Sequence, residues 1–356
     1  MPKGTVLVAM SGGVDSSVAA CLLLEQGYEV VGSHLRLVHL DGVEHGCCGP
    51  AARRDAAEVA RIAGFPFEIR DLSNEFERTV IGDFVAEHEA GRTPNPCARC
   101  NGEIKFGAFL RRADELGIDS VATGHYVRTG RRGGRLRLLR GADRAKDQSY
   151  MLHMLGQRQL SRSRFPVGGM AKAQTRAAAE RYGLPVASKP DSQELCFAPS
   201  GEAGAYLASA APHLMRDGEV VDTDGRVLAH HAGSAAFTVG QRRGLGVAGP
   251  QPSYVLEIDA RANRVVVGPG ELLARSGAIA DRVSWVSGEP PSPVPFEAEV
   301  RIRYRGEDVP SVVESLGDGM RIEFRTPQRG VSPGQSAVVY RGEELLGGGR
   351  IVDALR

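Results

Sequence analysis

The run "TVLVAMSGGVDSSVAACLLLEQG", Thr5 to Gly27, constrains this chain more than any other stretch. A short, unbroken apolar segment is the form a strand takes when a parallel sheet buries both its faces. It stops at Gly12–Gly13. Val14, Val18, Cys21, Leu22 and Glu25 then recur at helical spacing as far as Gly27, a helix stop. Glycines between a strand and a helix let the backbone approach a ligand, and the helix start offers unpaired N–H groups. Ser11, Ser16 and Ser17 add hydroxyls, so the natural guest is an anion, most simply phosphate. The same residues also suit a plain tight turn, with Asp15 and the serines capping the helix. The run has no lysine of the G-x-x-x-x-G-K-[ST] kind and is not G-x-G-x-x-G, which excludes two familiar nucleotide loops.

Alternation continues downstream. "YEVVGSHLRLV" and "PFEIRDL" read as strands, Ala51–Ala63 and about Asn74–Glu89 as helices, then Ile104–Leu116 as a helix before the strand "SVATGHY". These are βαβ units, giving an α/β, Rossmann-like domain with a parallel sheet. From about Gly218 the pattern changes. "GEVVDTDGRVLAHH" and "YVLEIDARANRVVVGPG" read as strand pairs. The proline-rich "VSGEPPSPVPFE" reads as a domain connector, followed by short, regularly spaced strands typical of a small antiparallel barrel. A chain of 356 residues is too long for one ordinary domain. The expected division is 1–200 (α/β), 201–275 (small, β-rich) and 276–356 (C-terminal antiparallel β-barrel).

No apolar run reaches membrane-spanning length, and the N-terminus lacks a cleavage site, so no membrane association and a cytoplasmic location are expected. Six cysteines in such a compartment speak for catalysis, metal binding or burial rather than a disulfide scaffold. Between Arg128 and Lys146 stand eight basic residues against one acidic, Asp143. Interleaved with Leu136, Leu138 and Leu139, they suggest a folded ribbon with a basic face for polyphosphate or nucleic acid, or a solvated hairpin.

"NPCARC", Asn95 to Cys100, sets two cysteines behind a proline-stiffened turn. A structural zinc site would need two further ligands; Cys47–Cys48 are adjacent, a poor bite for one ion, and His125 stands alone. Cys21 falls on the buried side of the first helix and reads as core.

The turn "SGGVDSS" resembles the PP-loop of the ATP pyrophosphatases. Around it, "AMSGGVDSS", "GRTPNPCARCNGEIKFG", "ATGHY", "KDQSYML", "KPDSQELCF", "FTVGQRRGLGV" and "RIRYRG" resemble the bacterial tRNA-specific 2-thiouridylases, in family order and over nearly the whole chain. The resemblance implies ATP-dependent 2-thiolation of the wobble uridine (position 34) of tRNA. It implies ATP and Mg²⁺ at the loop, with Ala9, Met10, Ser11, Gly12, Gly13, Val14, Asp15, Ser16, Leu35 and Gly124 lining the nucleotide. Cys196 matches the persulfide carrier and Cys100 its catalytic partner, with Asp15 acting through Mg²⁺ or loop geometry. Asn95, Pro96 and Cys97 match the segment contacting the target base. Lys146, Asp147 and Gln148, with Tyr304 and Arg305, match tRNA contacts. Partners would be tRNA and a sulfur-donor protein, a cysteine desulfurase or relay; a monomer is expected.

Many relatives carry Asp where this chain has Cys97, which leaves that position's role open. A [4Fe–4S] cluster on Cys97, Cys100 and Cys196 is the mechanistic alternative. A PP-loop ligase forming a C–N bond, with dispensable cysteines, is the alternative in another enzyme class.

Overall fold

A computed structural model describes residues 3–38, 49–191, 195–198, 203–249 and 251–356; Cys47 and Cys48 lie outside them. Strand β1 (Thr5–Ala9) carries Val6, Leu7 and Val8, all fully buried, as its unalternating sequence requires. Helix α1 (Val14–Glu25) follows directly, then β2 (Glu29–Arg36), α2 (Pro50–Ala63) and β3 (Phe67–Asp71). A helix over 73–89 and another over 96–115 lead to β4 (Ser120–Ala122). A hairpin, β5 (Val127–Arg132) and β6 (Arg135–Arg140), leaves the sheet before β7 (Ser163–Arg164) completes it. The order is β3-β2-β1-β4-β7, all parallel. Loops after β1 and β4, adjacent central strands, therefore open side by side at the carboxyl edge, where ligands of such sheets bind.

Both long helices contain wide π-type turns, over Glu77–Ile81 and Asn101–Ala108. The second begins at Pro96, eight residues before the start expected from periodicity. The reason is local: Asn95 caps it, its Oδ1 accepting from the Ala98 N–H at 3.2 Å, and Pro96 fills the first helical position where no N–H is needed. "NPCARC" is thus a helix start, not an extended turn.

The middle unit is a four-stranded sheet of β8 (Gly218–Val221), β9 (Val227–His231), β10 (Ser253–Asp259) and β11 (Arg264–Pro269), ordered β10-β11-β8-β9. The C-terminal unit holds β12 (Ala274–Trp285), β13 (Phe296–Arg301), β14 (Val309–Leu316), β15 (Gly319–Arg329), β16 (Ser336–Arg341) and β17 (Glu344–Leu355). They run antiparallel as β12-β15-β14-β13-β16-β17, and β12 pairs with β17 to close a six-stranded barrel. Closure removes both sheet edges. The proline-rich segment does not connect domains: it joins β12 to β13 inside this barrel, because β12 already pairs with both β15 and β17.

The β5–β6 hairpin does not stand free. Leu138 and Leu139 of β6 pair with Leu345 and Glu344 of β17, so the α/β unit lends two strands to the barrel's sheet. Leu138 and Leu345 are fully buried in the same apolar cluster as Tyr150 and Tyr340. Among the described residues no helix is long and apolar enough to cross a membrane.

Candidate active site

Gly13 caps α1, and Gly12 beside it has φ +68°. A Cβ on Gly12 would fall 2.1 Å from the Ala52 carbonyl oxygen, so two reasons require glycine there. Gly124, after β4, presses on the same turn from the other side: its Cβ would lie 2.5 Å from the Ser16 nitrogen. The loop's hydroxyls are partly used in holding its shape. Ser16 and Ser17 donate to the Gly13 carbonyl at 3.2 and 2.9 Å, and the Ser11 N–H donates to Ser16 Oγ at 3.2 Å. Buried His34 donates from Nδ1 to the Met10 carbonyl at 2.9 Å, which fixes its tautomer. Ala9 is half-buried; Met10, Val14 and Leu35 are buried in the apolar layers behind the loop.

Charge reaches the loop from elsewhere in the sequence. Lys172 Nζ lies 2.7 and 2.8 Å from the two carboxylate oxygens of Asp15, and 2.8 Å from Asp191. The Tyr126 hydroxyl donates to Asp15 Oδ1 at 2.8 Å. Lys146 reaches Asp191 at 2.8 Å, and Arg176 at 3.1 Å. Burial alone would push Asp191 up, yet its bonds to Lys146 and Lys172 outweigh it and hold the carboxyl below the ordinary range. Lys189 donates to the Gly12 carbonyl at 2.9 Å and pairs with Asp55. Sequence reading found Asp15 and missed Tyr126, Lys172, Lys189 and Asp191. Three of these sit inside motifs already singled out, "ATGHY" and "KPDSQELCF"; Lys172 had no signal at all.

The cysteines arrive on the neighbouring side. His125, next to Gly124, is buried, hydrogen-bonded through Nδ1 to Thr123 Oγ1 at 2.8 Å, and 6.0 Å from the Phe106 ring of the 96–115 helix. Burial, and then Lys105, keep this imidazole neutral far below its usual pKa. Cys100 begins the same helix and is buried, while Cys97 is exposed. Cys196 is half-buried and packs against the apolar cluster that contains Cys100. Beside it, Phe197 meets Phe84 and Tyr206 edge-on at 5.2 and 4.8 Å. Burial, then Glu77, then Cys196 push the Tyr206 phenol up to about 12. All four described cysteines, Cys21 included, are thiols rather than disulfides. Among the described residues no three His, Cys, Asp or Glu side chains converge as a metal ion would need.

Residues 4–200 match the family described as the tRNA methyl transferase HUP domain, 206–269 its PRC-barrel domain, and 275–351 the aminomethyltransferase beta-barrel domain. Over its whole length the chain is similar to proteins named tRNA-specific 2-thiouridylase MnmA. That of Geobacter metallireducens is 47% identical, covering 98% of this chain and 97% of the relative. That of Acidithiobacillus ferrooxidans is 46% identical over 99% of both. That of Acidothermus cellulolyticus is 47% identical over 99% and 98%. The chain belongs to the tRNA-specific 2-thiouridylase family.

Within this thiouridylase-family chain the residues expected to meet tRNA are distributed unevenly. Asn95 uses Oδ1 as a helix cap and sets Nδ2 3.5 Å from Met151 Sδ; Pro96 is buried. Their segment is tied to both other units. The Thr93 N–H donates to the Pro333 carbonyl, Gln335 donates to the Thr93 carbonyl, both at 2.8 Å, and Thr93 Oγ1 lies 3.3 Å from Thr238 Oγ1. Lys146 is turned to Asp191. Asp147 is buried, accepting from the Gly141 and Ser149 N–H groups at 3.0 and 3.1 Å and from Ser149 Oγ at 2.9 Å. Gln148 accepts from the Tyr126 N–H at 3.0 Å. Tyr304 is half-buried near Tyr150, and Arg305 is exposed.

The basic ribbon is paired with the barrel. Arg128 and Arg144 pair with Glu343, Arg135 with Glu289, Arg137 with Glu344, and Arg140 with Asp308. Every one of those carboxylates belongs to the barrel unit. Of the eight basic residues only Arg131 and Arg132, at the hairpin tip, have no carboxylate within 4 Å among the described residues.

Proposed function

We propose that this chain is an ATP-dependent tRNA-uridine 2-sulfurtransferase acting on the wobble position. The observation that carries the reading is the junction at Gly124. The strand end that presses on the glycine loop continues into His125, which packs on the helix bearing Cys100. A nucleotide on the loop and a thiol on that helix would share one cleft at the sheet's carboxyl edge.

The chemistry needs an activated oxygen, a sulfur nucleophile and a second thiol. Uridine O2 attacks the α-phosphorus of ATP and releases pyrophosphate, so that AMP becomes the leaving group on C2. Mg²⁺ usually keeps several waters and takes one or two carboxylates with phosphate oxygens, a role Asp15 could fill from the loop. The terminal sulfur of a Cys196 persulfide, supplied by a donor protein, attacks C2. Cys100 as thiolate attacks the inner sulfur; the S–S bond breaks, its electron pair stays on the sulfur now bound to C2, and AMP departs. The Cys100–Cys196 disulfide that remains is reduced by an external thiol. The packing of Cys196 on the Cys100 cluster supports this pairing.

In a reconstituted assay, Cys100→Ala and Cys196→Ala should each abolish 2-thiouridine formation, read by nucleoside mass spectrometry, while ATP–pyrophosphate exchange persists. Full thiolation by Cys196→Ala would remove it as the sulfur carrier. Cells lacking the protein should lose the 2-thio group at the wobble uridine.

A further inference from the structure

The glycine loop has a difficulty that its sequence does not resolve. From Ser11 to Ser17 its one charged residue is Asp15, an anion placed where a polyphosphate must bind. Loops of the G-x-x-x-x-G-K-[ST] kind solve this with a lysine of their own; this one has none. Two unit charges of like sign about 4 Å apart cost on the order of 4 kcal/mol near a protein surface unless a cation lies between them.

The fold brings four cations to the neighbourhood, and their partners distinguish them. Arg176 is engaged by the carbonyls of Ala187 and Lys189 at 2.7 and 3.0 Å as well as by Asp191. Lys189 braces the loop from behind, on the Gly12 carbonyl and Asp55. Lys146 meets Asp191 from the more open side. Lys172 alone among them bonds a residue of α1's first turn. Its three N–H donors match three acceptors, both oxygens of Asp15 and one of Asp191, and its side chain is only 12% exposed.

We infer that Lys172 is the loop's lysine delivered from a distant part of the chain, holding the pyrophosphate end of ATP, with Asp191 as its positioning residue. The inference rests on the proposal that ATP binds this loop. Without nucleotide, Asp15 occupies two of the ammonium's donors. When ATP arrives, one or both turn to the β- and γ-phosphate oxygens, Asp15 keeps the Tyr126 hydroxyl, and Asp191 holds the ammonium in place. No bond is made or broken beyond this exchange of hydrogen bonds. A lysine that grips the β- and γ-phosphates acts on the part of ATP that AMP lacks, so the effect is selective for ATP over AMP.

Equilibrium binding of ATP, AMP and inorganic pyrophosphate to the full chain and to Lys172→Gln tests this. Loss of a charge-assisted contact should weaken ATP and pyrophosphate by about 10- to 100-fold, and AMP by less than about 3-fold. Asp191→Asn should give a smaller loss with the same selectivity. Unchanged ATP affinity in a folded Lys172→Gln protein overturns the inference, as does equal weakening of ATP and AMP. Should Lys172→Gln fail to fold, Lys172→Arg decides. Its planar fork cannot reproduce a point charge in this confined position, so ATP weakened several-fold relative to AMP supports the inference and an unchanged ratio overturns it. A wild-type chain that binds no ATP, with or without tRNA, removes the underlying reading instead.

Discussion

The glycine loop and the β5–β6 hairpin both collect positive charge, in different ways. At the loop, ammonium groups from Lys146 and Lys172 converge on Asp191 and Asp15, and Lys189 braces the Gly12 carbonyl, an arrangement in which an arriving anion would exchange partners. At the hairpin, guanidinium groups pair with carboxylates of the barrel, Glu343 taking two of them, and β6 pairs with β17. In the proposed reading the first arrangement awaits a ligand, whereas most cations of the second already have partners within the chain. Basic residues in a sequence are cations awaiting a partner, and only the fold decides whether the partner is a ligand or another domain.

Arg140 is where this contrast can be broken most severely. It is 1% exposed, bonds the Gly342 carbonyl at 3.1 Å and Asp308 at 2.8 Å, lies 3.6 Å from Asp147, and stacks 3.5 Å above the Tyr340 ring. Arg140→Met would remove the hydrogen bonds to Asp308 and the Gly342 carbonyl, the cation nearest buried Asp147, and the cation–π contact. Loss of one partner from a buried network costs about 3–5 kcal/mol. Chemical denaturation should show a loss of that size, with the barrel becoming protease-sensitive before the α/β unit. A change below about 1 kcal/mol would mean that the hairpin does not hold the barrel.

How much of this was legible beforehand differs between the same two regions. The strand, turn and α1 could be read because each obeys local rules: an unalternating apolar run, glycines where Ala52 and Gly124 crowd the backbone, and a helix period. The barrel's strands were visible as short, regularly spaced β-rich runs. Lys172 was not, since nothing local marks a lysine 157 positions from the aspartate it meets. The hairpin misled for the same reason: Glu343 and Glu344 lie some two hundred residues from the arginines they neutralise. The helix start at Pro96 was legible in principle, because Asn–Pro is a capping signal, but the proline read as stiffening a turn.

A milder test of the same interface uses acid. His153 is buried between the α/β unit and the barrel, with Nε2 3.1 Å from Ser336 Oγ. Burial pushes its pKa down to about 4, partly countered by the Gly348 backbone. The folded value lies below the unfolded one of about 6.5, so between them the unfolded chain binds the proton first. The contribution is complete above about pH 6.5 and is lost as pH falls toward 4, up to about 3 kcal/mol. Melting temperature should fall over that window more steeply for the native chain than for His153→Gln. Parallel curves would show that this imidazole does not titrate with unfolding.

The smallest effect sharpens the comparison best. Glu343 bridges Arg128 and Arg144 on an exposed face, where such pairs contribute about 0–1 kcal/mol and weaken with salt. Glu343→Gln should therefore lower stability by less than about 1 kcal/mol, with the difference vanishing at high ionic strength. If the hairpin's arginines serve the barrel, tRNA affinity should stay within about 2-fold, with an unchanged salt dependence. If they face tRNA and Glu343 holds them back, the two freed guanidinium groups should tighten binding and steepen its salt dependence, since each added phosphate contact raises the slope by about one. That outcome would return the hairpin to the class of the glycine loop, a set of cations held ready for an anion.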